Sequence, residues 1–306
     1  AAAGMVVGLP VLVLPCPVLG PAFPVGELAA AVRGGEQKVV EHSHNGNQRV
    51  QEVPRQQILE DRQGKVGRVN PGQPLGLDRD DEEEQELMRI SSDINDKAMA
   101  QFKAIVHEGV TEKELADQML KIYTDLGADG YSFEPLVAFG ANAADPHHEP
   151  DNTVLKVGDC VLFDVGCIRK GYCSDMTRTF YFKEVSDEHR HIYETVRKAN
   201  EAAIAKIKPG IPLCELDNTA RQLITAEGYG PQFNHRLGHF IGLSEHEFGD
   251  VSSVNTDKAV PGMIFSIEPG IYLTDDTGVR VEDLVLVTED GCEVLNHYPK
   301  ELQIIG

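Results

Sequence analysis

Gly109-Val-Thr-Glu-Lys-Glu-Leu115 is answered 101 residues later by Gly210-Ile-Pro-Leu-Cys-Glu-Leu216, and Gly127 and Gly228 keep the same offset. Two unrelated helical hairpins would seldom share four such positions, so the spacing predicts a duplicated helix-helix-strand unit. In the first copy a helix over 91–107 presents Ile94, Met99, Phe102, Ile105 and Val106 on one face. A second helix follows a Thr111/Glu114 capping box and carries Leu115, Met119, Ile122 and Tyr123 before stopping at Gly127. The acidic run 80–86 reads as a solvated face leading into the first helix. In the second copy the helices cover 186–208, closed by Pro209-Gly210, and 213–227, closed by Gly228.

Strand-like sequence follows each pair. Segments 160–165 and 174–183 flank Gly166-Cys-Ile-Arg-Lys-Gly171 as a hairpin, and 263–273 with 279–287 repeat the arrangement. Two such halves predict helices against a curved, mostly antiparallel sheet, an α+β architecture with a pseudo-twofold axis. A cleft on that axis can draw ligands from both halves.

The chain has 306 residues and a formal charge of −21, which disfavours nucleic acid and anionic membrane as partners. Residues 1–79 hold 8 basic and 7 acidic side chains, leaving 20 and 42 for the rest, and Phe23 is the one Phe or Tyr among them. With 8 of the 17 prolines and 11 of the 29 glycines as well, that segment is expected to be poorly packed or disordered, with a boundary near residue 80. The apolar stretch 5–19 is interrupted by Pro10, Pro15 and Pro17, which argues against a signal peptide or membrane anchor. Six cysteines without a C-x-x-C pair read as reduced thiols of a cytoplasmic protein.

Acids in the apolar strands carry the chemistry. Asp164 interrupts Val161-Leu-Phe-Asp-Val-Gly166, where an unpaired carboxylate would cost several kcal/mol. Asp175 lies 11 residues later on the returning strand, a separation that lets the two stand opposite each other across an even-numbered loop. The second half repeats the anomaly with Glu268 in Ile264-Phe-Ser-Ile-Glu-Pro-Gly270 and Glu282 in Gly278-Val-Arg-Val-Glu-Asp-Leu284. With His239 from Leu237-Gly-His-Phe-Ile-Gly242 the set is four carboxylates and one imidazole, which two divalent cations would balance. Its oxygen-rich character favours Mn²⁺ over Co²⁺, Fe²⁺ or Zn²⁺.

These segments resemble the metallopeptidases that include prolidase (Xaa-Pro dipeptidase), aminopeptidase P, methionine aminopeptidase and the metal-free relative creatinase. The resemblance covers about residues 80–306. Its further segments are Gly140-Ala-Asn-Ala-Ala-Asp-Pro-His147-His-Glu-Pro150, Ser174-Asp-Met-Thr-Arg-Thr179, His235-Arg-Leu-Gly-His239 and Ser266-Ile-Glu-Pro-Gly270. It implies a pita-bread fold with an internal pseudo-twofold and a catalytic domain over 80–306. Asp164 would chelate one metal, Asp175 and Glu282 would bridge two, and His239 with Glu268 would complete the second. The family's additional histidines map to His147 and His246, with His148 as the variable neighbour of His147.

The implied reaction is hydrolysis of an N-terminal peptide bond by a hydroxide held between the metals, with Glu268 moving the proton and a histidine polarising the carbonyl. His235 and Arg280 are features of the proline-specific branch, whose substrate is a peptide with proline in second position, and they would bind it together with His147. A homodimer is also implied. The competing expectations are a catalytically silent protein-binding module, methionine aminopeptidase-like activity and a creatinase-like metal-free hydrolase. Retention of every ligand position weighs against the silent and metal-free ones. Two departures stand out: Phe240, where many relatives have glycine and where a ring could narrow the cleft, and residues 1–79, which do not resemble the family's N-terminal α/β domain. A mis-joined gene start or altered reading frame is the expectation for that segment.

Overall fold

A computed structural model describes residues 81–306. The expectations for residues 1–79 lie outside the described residues.

Among the described residues four α-helices form two pairs: α1 (Glu82–Ala104) with α2 (Glu112–Asp125), and α3 (Asp187–Ile204) with α4 (Leu213–Ala226). α2 and α4 coincide at the offset of 101, and Gly127 and Gly228 end them at φ +93° and +94°, a left-handed conformation that a side chain would resist. The acidic run proves to be the first turn of α1. Asp81 caps it by accepting from the Glu83 and Glu84 amides while Glu84 returns a bond to the Asp81 amide, and negative charge at this end complements the helix dipole.

The first half contributes β1 (Gly130–Tyr131), β2 (Leu136–Phe139), β3 (Cys160–Val165), β4 (Cys167–Arg169), β5 (Tyr172–Cys173) and β6 (Met176–Phe182). The second contributes β7 (Gly238–His239), β8 (Asp250–Val251), β9 (Ile264–Ile267), β10 (Gly270–Leu273), β11 (Thr277–Arg280), β12 (Asp283–Val287), β13 (Cys292–Val294) and β14 (Ile304–Ile305). Pairing is antiparallel except for β14 beside β6, so the duplicated α+β fold expected from the sequence is present.

The two long strand segments expected in the second half are each broken at an acid. β9 gives way to β10 at Glu268-Pro269, where proline offers no amide, and β11 gives way to β12 at Val281-Glu282. The amides of the two acids bond elsewhere: Glu268 donates to Leu237 O at 2.8 Å and Glu282 to Thr177 O at 3.1 Å. Those crossings place both carboxylates outside their own strands, where they line one cleft.

An apolar core lies under each helical pair. β3 is buried on both faces: Val161, Phe163 and Val165 pack with the α1 and α2 side chains, while Cys160 and Leu162 join the core of α3 and α4. Asp164 shares the second face by alternation, which turns it toward the other half. Among the described residues Cys160, Cys167, Cys173 and Cys292 are free thiols, as expected. No helix among the described residues is long and apolar enough to cross a membrane.

Arg178 ties the halves together. It is 1% exposed and donates to Asp283 Oδ1 at 2.7 Å, to Tyr298 O at 2.8 Å and to Glu282 O. Lys300 holds the other Asp283 oxygen at 2.8 Å. Arg178→Ala leaves a buried carboxylate with one cation fewer, so we expect it to lower unfolding free energy by about 3–5 kcal/mol. Urea denaturation checks this, and a loss under about 1 kcal/mol would contradict it.

Candidate metal centre

The five residues expected to ligate metal line one cleft of about 380 Å³. Ligand atoms of Asp175, His239 and Glu282, all buried, lie within 4.8 Å of one another. His239 Nε2 is 3.4 Å from Asp175 Oδ2 and 3.6 Å from Glu268 Oε1. Asp164 and Asp175 are not cross-strand partners as expected. Asp164 pairs with Thr177 in the β3–β6 register, and Asp175 lies two residues earlier, just before β6. By alternation that is a diagonal neighbour on the same face, so the odd spacing still brings both acids to the cleft.

The carboxylates strain against one another. Burial first, and then the charges of neighbouring acids, hold Asp175 and Glu282 well above the ordinary carboxylate range. The Oδ1 atoms of Asp164 and Asp175 are buried without a hydrogen-bond partner. Orphaned anionic oxygens beside an imidazole are what a pair of divalent cations would satisfy, so the residues present fit that group. Ser266 Oγ donates to Glu268 Oε1 at 3.1 Å and accepts from the His239 amide at 3.0 Å, which ties the Glu268 carboxylate to the His239 backbone.

The remaining expected residues surround this centre. Arg280 forms an ion pair with Asp164 and donates to Thr177 Oγ1 and Tyr272 Oη, each at 2.9 Å. Burial opposes its charge, but Tyr272 and the acids outweigh it and hold the guanidinium above its usual range. His235 Nε2 is 3.0 Å from the same Tyr272 hydroxyl, and burial pushes its pKa down. The His246 ring stands edge-on to His239 at 4.1 Å between centroids. Its pKa is pushed down to about 4, by burial first and then by His239 and Arg236. His147 and His148 both line the cleft, but His148 Nε2 is bound to Glu112 at 2.7 Å.

Phe240 corrects an expectation. Its ring is 2% exposed, packs on Phe265 at 5.5 Å between centroids in the second core, and does not line the cleft. Room for it comes from Gly249 at φ +114°, where a Cβ would sit 2.9 Å from the ring. The strand alternation that turns His239 inward turns its neighbour outward.

Three partners escaped the sequence reading. Thr177 donates to Glu282 Oε2 at 2.6 Å, Ser266 holds Glu268, and Tyr272 joins Arg280 to His235. A signal for Tyr272 existed in the hairpin register, where Gly270 faces Arg280 and Gly278 faces Tyr272, so the two large side chains share one face.

A model of metallopeptidase family M24 matches residues 86–289. An uncharacterized peptidase of Staphylococcus aureus (strain MW2) is 46% identical over 219 residues, covering 72% of this chain and 62% of the relative. The chain therefore spans under two thirds of that protein's length. Among solved structures, recombinant prolidase from Thermococcus sibiricus is 40% identical with a TM-score of 0.73, over 75% of this chain and 63% of that one. X-Pro aminopeptidase from Thermotoga maritima is 35% identical with a TM-score of 0.73, over 74% and 64%.

Proposed function

Since the chain belongs to metallopeptidase family M24, we propose that it is a metallo-exopeptidase acting on peptides with proline in second position, either releasing the N-terminal residue or splitting an Xaa-Pro dipeptide. The observation that carries this reading is the convergence of Asp175, His239 and Glu282, with Glu268 and Asp164, around carboxylate oxygens that lack partners. The solved structures named above, a prolidase and an X-Pro aminopeptidase, support the proline preference.

Asp164, Asp175 and Glu282 would hold one divalent cation and Asp175, Glu282, His239 and Glu268 a second, with Mn²⁺ suited to the donor set. When bound, such a pair supplies an activated water and a Lewis acid for the scissile carbonyl. Glu268 takes up a proton from the attacking water and passes it to the leaving nitrogen. Ser266 donates to its Oε1 and so orients the carboxylate for that transfer. His147 and His246 donate to the carbonyl oxygen as it gains charge, and a low pKa keeps His246 neutral at physiological pH. His235 and Arg280, joined behind the cleft by the Tyr272 hydroxyl, form the wall that orients the peptide. A bond before proline has no amide hydrogen, so none of these groups is required to accept one.

The working form is proposed to be a cytoplasmic homodimer, a compartment suited to the free thiols of Cys160, Cys167, Cys173 and Cys292 among the described residues. Light scattering reads the oligomer. Purified protein loaded with Mn²⁺ should cleave Xaa-Pro and Xaa-Pro-Yaa peptides in preference to Xaa-Ala, and comparing the first two substrates separates dipeptidase from aminopeptidase. Two metals bound per chain with no Xaa-Pro cleavage would overturn the assignment.

A further inference from the structure

We propose that Glu112 and His148 form a positioning pair that anchors the loop carrying His147: both rings line the cleft, but His148 is held to Glu112, which sets the direction in which the His147 imidazole is presented. The kinetic part of this inference rests on the hydrolase reading; the anchoring does not.

Glu112 is the first residue of α2 and is 0% exposed. Its carboxylate accepts four hydrogen bonds from the chain that leads into and out of the loop. Phe139 N (2.7 Å) and Asn142 Nδ2 (3.0 Å) reach Oε1, while His148 Nε2 (2.7 Å) and Asp151 N (3.1 Å) reach Oε2. Two donors on each oxygen use its lone pairs, so although Glu112, His148 and Asp151 are close enough for a metal, this carboxylate has no acceptor site to offer one. Two of the donors are backbone amides, which cannot become acceptors, so the site needs a carboxylate and an amide will not replace it.

The duplication shows that the fold itself does not ask for this acid. The position 101 residues later is Leu213, which begins α4 with no side-chain cap. The carboxylate is present only in the half whose following loop brings two adjacent histidines to the cleft. Within that loop Asp145 accepts from the His147 amide at 2.9 Å and from the His148 amide at 3.2 Å, making a tight turn. Holding the second ring of such a turn sets the direction of the first.

The test uses the full chain with ring-labelled histidine. In metal-free protein the His147 ring should give one sharp NMR signal in the wild type and in His148→Gln, which keeps a donor for Glu112. It should be shifted or doubled in His148→Ala and Glu112→Gln. Hydrogen exchange over 139–153 should quicken at least tenfold in the latter two while α1 and α3 stay protected. On an Xaa-Pro substrate, His148→Ala should lower kcat about 10- to 100-fold, His148→Gln should recover most of it, and His148→Ala should add nothing in a His147→Ala background. An unchanged His147 signal in His148→Ala, or kcat losses that multiply in the double variant, overturns the proposal. If the wild type cleaves no Xaa-Pro peptide, the hydrolase reading fails while the NMR and exchange results still decide the anchoring.

Discussion

Glu268→Gln is expected to lower kcat by about 100- to 10,000-fold while leaving most of the bound metal in place, and Glu268→Ala to abolish turnover. That range is what a positioned proton carrier contributes. The two variants separate two duties. Glutamine keeps an oxygen that can ligate and can accept the Ser266 hydroxyl now bound to Oε1, but it cannot take a proton from water at neutral pH. Alanine removes the ligand as well and leaves His239, 3.6 Å away, without its neighbour. Steady-state rates paired with metal analysis of each variant provide the check. A fully metallated Glu268→Gln enzyme with wild-type kcat would remove Glu268 from the proton path.

Divalent metal is expected to raise the melting temperature by about 5–10 °C for each site held at 100 times its Kd. This follows from about 2.7 kcal/mol of linkage and about 2–4 °C per kcal/mol for a domain of this size. The underlying strain has a definite pH sign. Asp175 and Glu282 have folded pKa values raised above their unfolded ones, by burial and then by neighbouring acids. Between the two values the folded chain binds more protons than the unfolded chain. The contribution of these groups to metal-free stability is therefore full below the unfolded carboxylate range, about pH 4, and is lost as pH rises through the folded values. Asp175→Asn should raise metal-free stability at pH 8, and the same change should weaken metal binding and cancel most of the rise on adding Mn²⁺. Calorimetry with and without a chelator reads both. A metal-free Asp175→Asn protein less stable than wild type at pH 8 would show that charge repulsion does not govern this cluster.

Much of the centre was legible because ionised groups in apolar strands are expensive and therefore conspicuous. Asp164, Asp175, Glu268 and Glu282 announced themselves by position, and His239 by its glycine-flanked strand. The residues that hold them are ordinary in sequence. Thr177, Ser266 and Tyr272 sit in strands where such side chains commonly occur, and nothing local distinguishes a threonine that meets Glu282 from one that meets solvent. The direction of Phe240 follows from strand alternation about His239 and from the space left by Gly249, which its sequence neighbours do not reveal. The acidic run 80–86 has the composition of a solvated face, and its place at a helix start gives Asp81 and Glu84 a capping role as well.

By itself, the amino-acid order determined the duplication, the helix stops at Gly127 and Gly228, and the chemical kinds of side chain available to the cleft, since periodicity, capping and desolvation act over a few residues. Tertiary structure alone decided that Asp164 and Asp175 meet diagonally, that Thr177 of one half bonds Glu282 of the other across 105 positions, and which of two adjacent histidines Glu112 claims. Those outcomes depend on where separate strands and loops cross, and a hydrogen bond between distant segments has no signature in the local sequence on either side.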